Sequence, residues 1–178
     1  MSIRADLGHD WFARPLPANV ELGEGSWLYS SYAFLHYQSR RPVGLRVGHD
    51  TGLYNGTFFE LGVDGEVRIG SYCTLVGVIV VTNGRVEIGD YAFLAHEVVI
   101  ADHAIAQPPR SEWPRGEVGA SATSIHLGEN VWVGARATIL GGTVVGNHAV
   151  IGAGAVVQGS YPERCVLAGN PAQLVRRF

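Results

Sequence analysis

The chain has 178 residues, 47% of them hydrophobic, with 24 glycines and a formal net charge of −3. That length suits a single domain with a core of its own, and so small a net charge supplies no basic surface for nucleic acid or an anionic membrane. All thirteen basic residues are arginine, which excludes a Schiff-base lysine and a P-loop.

The N-terminal stretch MSIRADLGHDWFARPLP lacks the apolar centre of a signal peptide. No apolar run reaches the roughly 18 residues of a membrane span, so a soluble, cytoplasmic protein is expected. Cys73 and Cys165 stand alone in the sequence, and isolated thiols of this kind read as small buried hydrophobes. Residues 1–19 contain Pro15 and Pro17 and show no clean period, so they read as an extended lead-in over one end of the fold.

A beat of six residues then begins. Apolar anchors fall at Leu22, Leu28 and Phe34, and HYQSRRPVGL interrupts them as an outward loop. They resume at Val47, Leu53 and Phe59, at Ile69, Leu75 and Val81, and at Ile88, Leu94 and Ile100. The clearest stretch runs from Leu127 to Pro162, with anchors at Leu127, Val133, Ile139, Val145, Ile151 and Val157. Four residues after the first five of these come Val131, Ala137, Thr143, Ala149 and Ala155.

A period of six fits neither a helix nor a simple hairpin, and it marks a parallel β-helix. Short extended segments turn a corner every six residues, so three sides make one coil, and neighbouring coils satisfy each other's backbone. The anchors predict about six coils over residues 20–162. The corners are expected to carry Gly or small polar residues where φ turns positive; Gly128, Gly134, Gly146 and Gly152 each follow an anchor directly.

The beat stops once at length. Between Ile100 and Ile125 lie the 24 residues ADHAIAQPPRSEWPRGEVGASATS, read as a functional loop extruded over 101–124. Residues 163–178 close the domain as a short helix or tail, with Pro171 fitting the first turn of a helix.

These residues resemble the hexapeptide-repeat acyltransferases, and within them the maltose, galactoside and xenobiotic acetyltransferase branch with its polysaccharide O-acetyltransferase relatives. The likeness rests on VEIGDYAFLA, a loop opening with Asp102-His103, IHLGENVWVGARATIL, VIGAGAVV and AGNPAQLVR, in that order. The resemblance implies an all-β, left-handed parallel β-helix, although the general preference for right-handed crossovers favours the other hand. It also implies a homotrimer that holds acetyl-CoA or another acyl-CoA in the groove between subunits, with no metal.

Acyl transfer to a hydroxyl needs a base for the acceptor's proton and donors for the developing oxyanion. Of the seven histidines, His103 opens the long loop, where the family places its catalytic base. His96, on an outward corner, is the second candidate. Asp102, Glu112 or Glu117 would orient an imidazole. By the same resemblance Trp132 lines the CoA groove, the N–H groups of Ala135 and Ala153 hold the thioester and pantetheine arm, and Arg176 meets CoA phosphates.

The acceptor expected is a sugar, a glycan precursor or a small natural-product hydroxyl, with an amino-sugar N-acetyltransferase as the near alternative. A γ-carbonic-anhydrase-like zinc enzyme using His96 and His103, or a non-catalytic scaffold, are the other classes. The aromatic and arginine-rich segment Trp27, Tyr29, Tyr32, Tyr37, Arg40 and Arg41 reads as packing at a coil end rather than as a sugar platform.

Overall fold

The structure is a computed structural model and describes residues 8–102 and 124–178. The first coil holds β1 (Val20–Leu22) and β2 (Trp27–Leu28). The second is β3 (Leu45–Val47), β4 (Gly52–Leu53) and β5 (Phe58–Leu61). The third is β6 (Glu66–Ile69), β7 (Thr74–Leu75) and β8 (Ile79–Thr82). β9 (Arg85–Ile88), β10 (Phe93–Leu94) and β11 (Val99–Ala101) form the fourth. β12 (Ile125–Leu127), β13 (Trp132–Val133) and β14 (Thr138–Leu140) form the fifth. β15 (Val144–Val145), β16 (Val150–Ile151) and β17 (Val156–Val157) form the sixth. The chain then ends in β18 (Ser160–Tyr161), β19 (Cys165–Gly169) and β20 (Ala172–Arg177).

Strands in the same place on successive coils pair in parallel, giving three sheets of seven, eight and five strands. This is a parallel β-solenoid of about six turns, consistent with a left-handed β-helix. Its core is a set of columns. Leu28, Leu53, Leu75, Leu94, Val133, Ile151 and Leu167 stack down the second sheet, and Phe59, Val80, Ile100, Ile139 and Val157 down the third. All of them are buried, as are the secondary positions Val131, Ala137, Thr143, Ala149 and Ala155. Cys73 and Cys165 are free thiols buried among them.

Three expectations are corrected. The anchor of β8 is Val80, not Val81, because Val80 pairs with Phe59 below and Ile100 above; the corner after Leu75 is a residue shorter than its neighbours. Phe34 is buried, but on a 3₁₀ turn (Ser31–Phe34) rather than a strand, and it stacks on Phe59 at 5.6 Å. The chain's end forms no helix. Residues Asn170 and Pro171 turn β19 back into β20, which pairs with it antiparallel. Proline suits such a turn because its φ is already fixed and it has no N–H to leave unpaired.

The glycines work differently from expectation. Gly128, Gly134, Gly146 and Gly152 do not have positive φ. Three of them sit where the next coil comes too close for a Cβ, which at Gly134 would stand 2.5 Å from the nitrogen of Ala153. Positive φ falls one or two residues later, largely on ordinary residues: Asp50, Tyr72, Tyr91, Asn130, His148 and Arg164 at the first corner, Glu97 and Arg136 at the second. Their N–H groups donate to carbonyls one coil below, as Asn130 does to Asp90 at 2.7 Å and Arg136 to His96 at 2.9 Å. Ladder bonding offsets the steric cost of the left-handed conformation.

Before β1 the chain crosses the first coil as a strap. Asp10 accepts from the Ser30 hydroxyl at 2.6 Å and from the N–H groups of Ser31 and Phe12 at 3.0 Å. Burial alone would raise its pKa, but these hydrogen bonds outweigh that and hold the carboxyl below the usual carboxylate range. Among the described residues no helix is long and apolar enough to cross a membrane.

Candidate active site

Every second side chain on a strand points outward. On the second sheet one outward column reads Thr74, Phe93, Trp132, Val150, Val166 and, on the returning β20, Arg176. Trp132 is 57% exposed, with the Phe93 ring edge-on to it at 6.3 Å. Arg176 lies three strand steps from Trp132, about 14 Å at the usual spacing. It is exposed and in register with Val166. An indole and a guanidinium are thus aligned on one face, with two valines between them.

The corner between the second and third sheets borders this face. Successive coils place Gly77, His96-Glu97, Ala135-Arg136 and Ala153-Gly154 in one column there. Each is tied to the next by a backbone bond: Glu97 N–H to Gly77, Arg136 N–H to His96 and Gly154 N–H to Ala135. The N–H groups of Ala135 and Ala153 fall outside this ladder and have no acceptor among the described residues. Two backbone donors one coil apart, beside an exposed indole, can hold a carbonyl oxygen or an amide chain. His96 is exposed in the same column. Glu97 and Arg136 form an exposed ion pair at 2.7 Å; that hydrogen bond and the nearby charge raise the guanidinium's pKa further.

His103 lies outside the described residues, as do Glu112 and Glu117. The residue before it is described. Asp102 is buried, and its Oδ2 accepts from the Thr82 hydroxyl at 2.5 Å and from the N–H groups of Asn83 and Gly84 at 2.9 and 2.6 Å. Its backbone also presses on Gly141, where a Cβ would stand 2.7 Å from the Asp102 carbonyl oxygen. Through its Oδ2, Asp102 therefore clamps the root of the long segment between coils at the third corner. Within one chain, this root and the Ala135 corner lie on opposite sides of the third sheet.

The remaining histidines serve local structure. His9 stacks on Trp27 at 4.2 Å with its Nε2 at 2.9 Å from the Leu28 carbonyl, His49 contacts Asp50 at 2.8 Å, and His126 contacts Glu87 at 3.3 Å. Among the described residues no three His, Cys, Asp or Glu side chains converge as a metal-ligand set. Phe93 is the neighbour of Trp132 on this face that sequence reasoning passed over. Its signal was present, since it precedes anchor Leu94 as Trp132 precedes Val133.

The family described as bacterial transferase hexapeptide (six repeats) matches residues 124–159, the stretch from just before β12 to just after β17. Over those residues the chain carries the hexapeptide repeat. Among its relatives, the Escherichia coli K12 protein named for lipopolysaccharide biosynthesis O-acetyl transfer, WbbJ, is 31% identical over 64% of this chain and 58% of its own length. Galactoside O-acetyltransferase of the same organism is 28% identical over 74% of this chain and 63% of its own. The chain thus spans about three fifths of the length of these two curated relatives.

Solved structures share the fold. A hexapeptide-repeat acetyltransferase from Vibrio cholerae, complexed with acetyl-CoA, superposes with a TM-score of 0.62 at 21% identity, covering 83% of this chain and 75% of that one. The N-acyltransferase AntD from Bacillus cereus, complexed with a dTDP-amino sugar and CoA, gives 0.66 at 16% identity, covering 88% and 82%.

Proposed function

We propose that this chain is an acyl-CoA-dependent acyltransferase, in the first instance an O-acetyltransferase acting on a hydroxyl of a sugar, a glycan precursor or a small natural product. The observation that carries the reading is the alignment of Trp132, the Ala135 and Ala153 N–H groups and Arg176 along one edge of the second sheet. These are a flat apolar surface, two backbone donors and a bidentate cation, which together suit a thioester, a pantetheine arm and phosphates. The two E. coli relatives, both named for O-acetyl transfer, support the choice of a hydroxyl acceptor.

Bound acyl-CoA supplies the acyl group as a thioester. The His103 imidazole takes the proton of the acceptor hydroxyl as its oxygen bonds to the thioester carbonyl carbon. The Ala135 N–H steadies the negative charge on the carbonyl oxygen. The carbon–sulfur bond then breaks, and the imidazolium returns the proton to the departing thiolate. No enzyme-bound acyl intermediate is needed.

The root of the His103 segment and the Ala135 edge are separated by the third sheet, so base and thioester are brought together between copies. A homotrimer with active sites at its interfaces meets that requirement. The outer column Phe58, Ile79, Val99, Thr138 and Val156 of the third sheet is largely apolar, as a face covered by another copy should be. His96 stands in the Ala135 column of its own chain and is the alternative base.

The test is release of free CoA thiol from acetyl-CoA in the presence of hydroxyl and amine acceptors. His103→Ala should lower turnover by about 10²–10⁴-fold with acetyl-CoA affinity unchanged. Full activity in that variant and its loss in His96→Ala would move the base to His96. Turnover of amino sugars alone would make the enzyme an N-acyltransferase.

A further inference from the structure

Along the coils arginine is matched by acid: Arg41, Arg46, Arg68, Arg85 and Arg136 each pair with a carboxylate. The C-terminal end is different. From residue 141 on the chain has three arginines, Arg164, Arg176 and Arg177, and one acidic residue, Glu163. None of these three arginines is ion-paired among the described residues. A net charge of −3 averages over the two regions and hides the difference.

The same end exposes apolar side chains. In β20 only Ala172 is buried; Gln173 to Arg177 are exposed, as is Phe178 after them. Val175 is 65% exposed, Phe178 56% and Leu174 40%. An edge strand with apolar side chains is a surface that proteins normally cover. The end is also firmly built. The Tyr161 hydroxyl lies 3.1 Å from the carbonyls of both Gln158 and Ala172, and the Phe178 N–H donates to the Arg164 carbonyl at 3.0 Å. That last bond, with Arg177 in register with Cys165, sets Arg164, Arg177 and Phe178 side by side.

The chemistry of this end selects among partners. A second copy meeting it end to end would double the guanidiniums in one contact and add only Glu163 against them, and like charges oppose such a contact. Nucleic acid would engage the arginines through its phosphates but leave Leu174, Val175 and Phe178 without a role. An anionic lipid surface uses both kinds of group. Guanidiniums meet headgroup phosphates, while aliphatic and aromatic side chains enter the boundary with the acyl chains. Arg176, on the groove face, is left to CoA.

We infer that the C-terminal end of the solenoid docks on an anionic lipid surface, with Arg164 and Arg177 on headgroup phosphates and Leu174, Val175 and Phe178 at the acyl boundary. The attachment is peripheral and reversible, because so few apolar groups enter the lipid. In the proposed homotrimer, rotational symmetry sets three equal ends at one height, so their contacts act together. The inference does not rest on the acyltransferase reading, since it concerns a surface beyond the last coil and holds whatever reaction the chain performs.

The test is cosedimentation of the full chain with sucrose-loaded vesicles, either phosphatidylcholine alone or equal parts phosphatidylcholine and phosphatidylglycerol. The mixed vesicles should bind about tenfold or more tightly, as the added attraction of a few arginines implies. Raising salt from about 0.1 to about 1 M shortens the Debye length from about 10 to about 3 Å and should remove most of that preference. Arg164→Glu with Arg177→Glu should bring binding on mixed vesicles down to the level of phosphatidylcholine. Val175→Ser with Phe178→Ser should weaken binding several-fold and keep the preference for mixed vesicles. All four side chains are exposed, so both double variants should melt as the wild type does, which separates a lost surface from a lost fold. No binding, equal binding to the two kinds of vesicle, or wild-type binding in either double variant would overturn the inference. So would polyglutamate bound as tightly as the mixed vesicles and unaffected by Val175→Ser with Phe178→Ser, an outcome that makes the partner an acidic protein.

Discussion

At the scale of single residues, chemistry is concentrated on a few outward side chains and backbone donors. Trp132→Ala should weaken acetyl-CoA about tenfold or more, as loss of a central aromatic contact does, while leaving the melting temperature close to wild type because the ring is exposed. Calorimetry and thermal unfolding check the two halves of that expectation. Asp10 gives a pH-dependent contact. Its folded pKa lies below the ordinary 3.8, so its stabilisation is complete above about pH 4 and is lost as pH falls toward the depressed folded value. Hydrogen exchange of residues 8–14 should therefore accelerate below pH 4 in the wild type, whereas Asp10→Asn should exchange fast across the range. Trp132 was legible in the sequence because a tryptophan at an outward hexad position is conspicuous. The Asp102 clamp was not, since nothing in the local sequence says that a carboxylate beside the candidate base is turned toward Thr82 and the Asn83-Gly84 corner.

At the scale of elements, the six-residue beat fixes the columns but not the corners. The anchors from Leu94 onward could be read directly, because one apolar position recurs with no insertion inside each run. Val80 was missed in favour of Val81 because the shortened turn at Val76-Gly77 leads into four consecutive apolar residues, Val78, Ile79, Val80 and Val81, and pairing with Phe59 and Ile100 decides among them. The glycines show two mechanisms that one letter hides. Gly134→Ala should destabilise by about 1–3 kcal/mol, the usual cost of forcing atoms into a packed site, because its Cβ would strike the backbone of Ala153. Gly154→Ala should cost about 1–2 kcal/mol through its φ of +68° alone, since nothing lies within 4 Å of a Cβ there. Denaturant midpoints of the two variants check the ordering. Cost at Gly154 equal to or above that at Gly134 would argue against close coil contact as the reason for the glycine that follows each anchor.

At the scale of the whole molecule, one chain carries the Trp132–Ala135 edge and the root of the His103 segment on different sides of a sheet. Assembly is the simplest way to join them. Light scattering on the purified chain should give about three times the chain mass, and Val99→Asp, a charge on the apolar outer face of the third sheet, should dissociate it and abolish turnover together. A fully active monomer would require His96, in the Ala135 column, to serve as the base.

Coenzyme A recognition is the claim on which the rest depends, and thermal unfolding with increasing acetyl-CoA measures it most directly. A ligand that binds only the folded state at about 100 times its Kd adds about 2.7 kcal/mol of stability. The melting temperature should rise in steps with ligand in the wild type and much less in Trp132→Ala and Arg176→Ala. A wild-type melting temperature that stays fixed at millimolar acetyl-CoA would contradict the assignment of this groove to CoA.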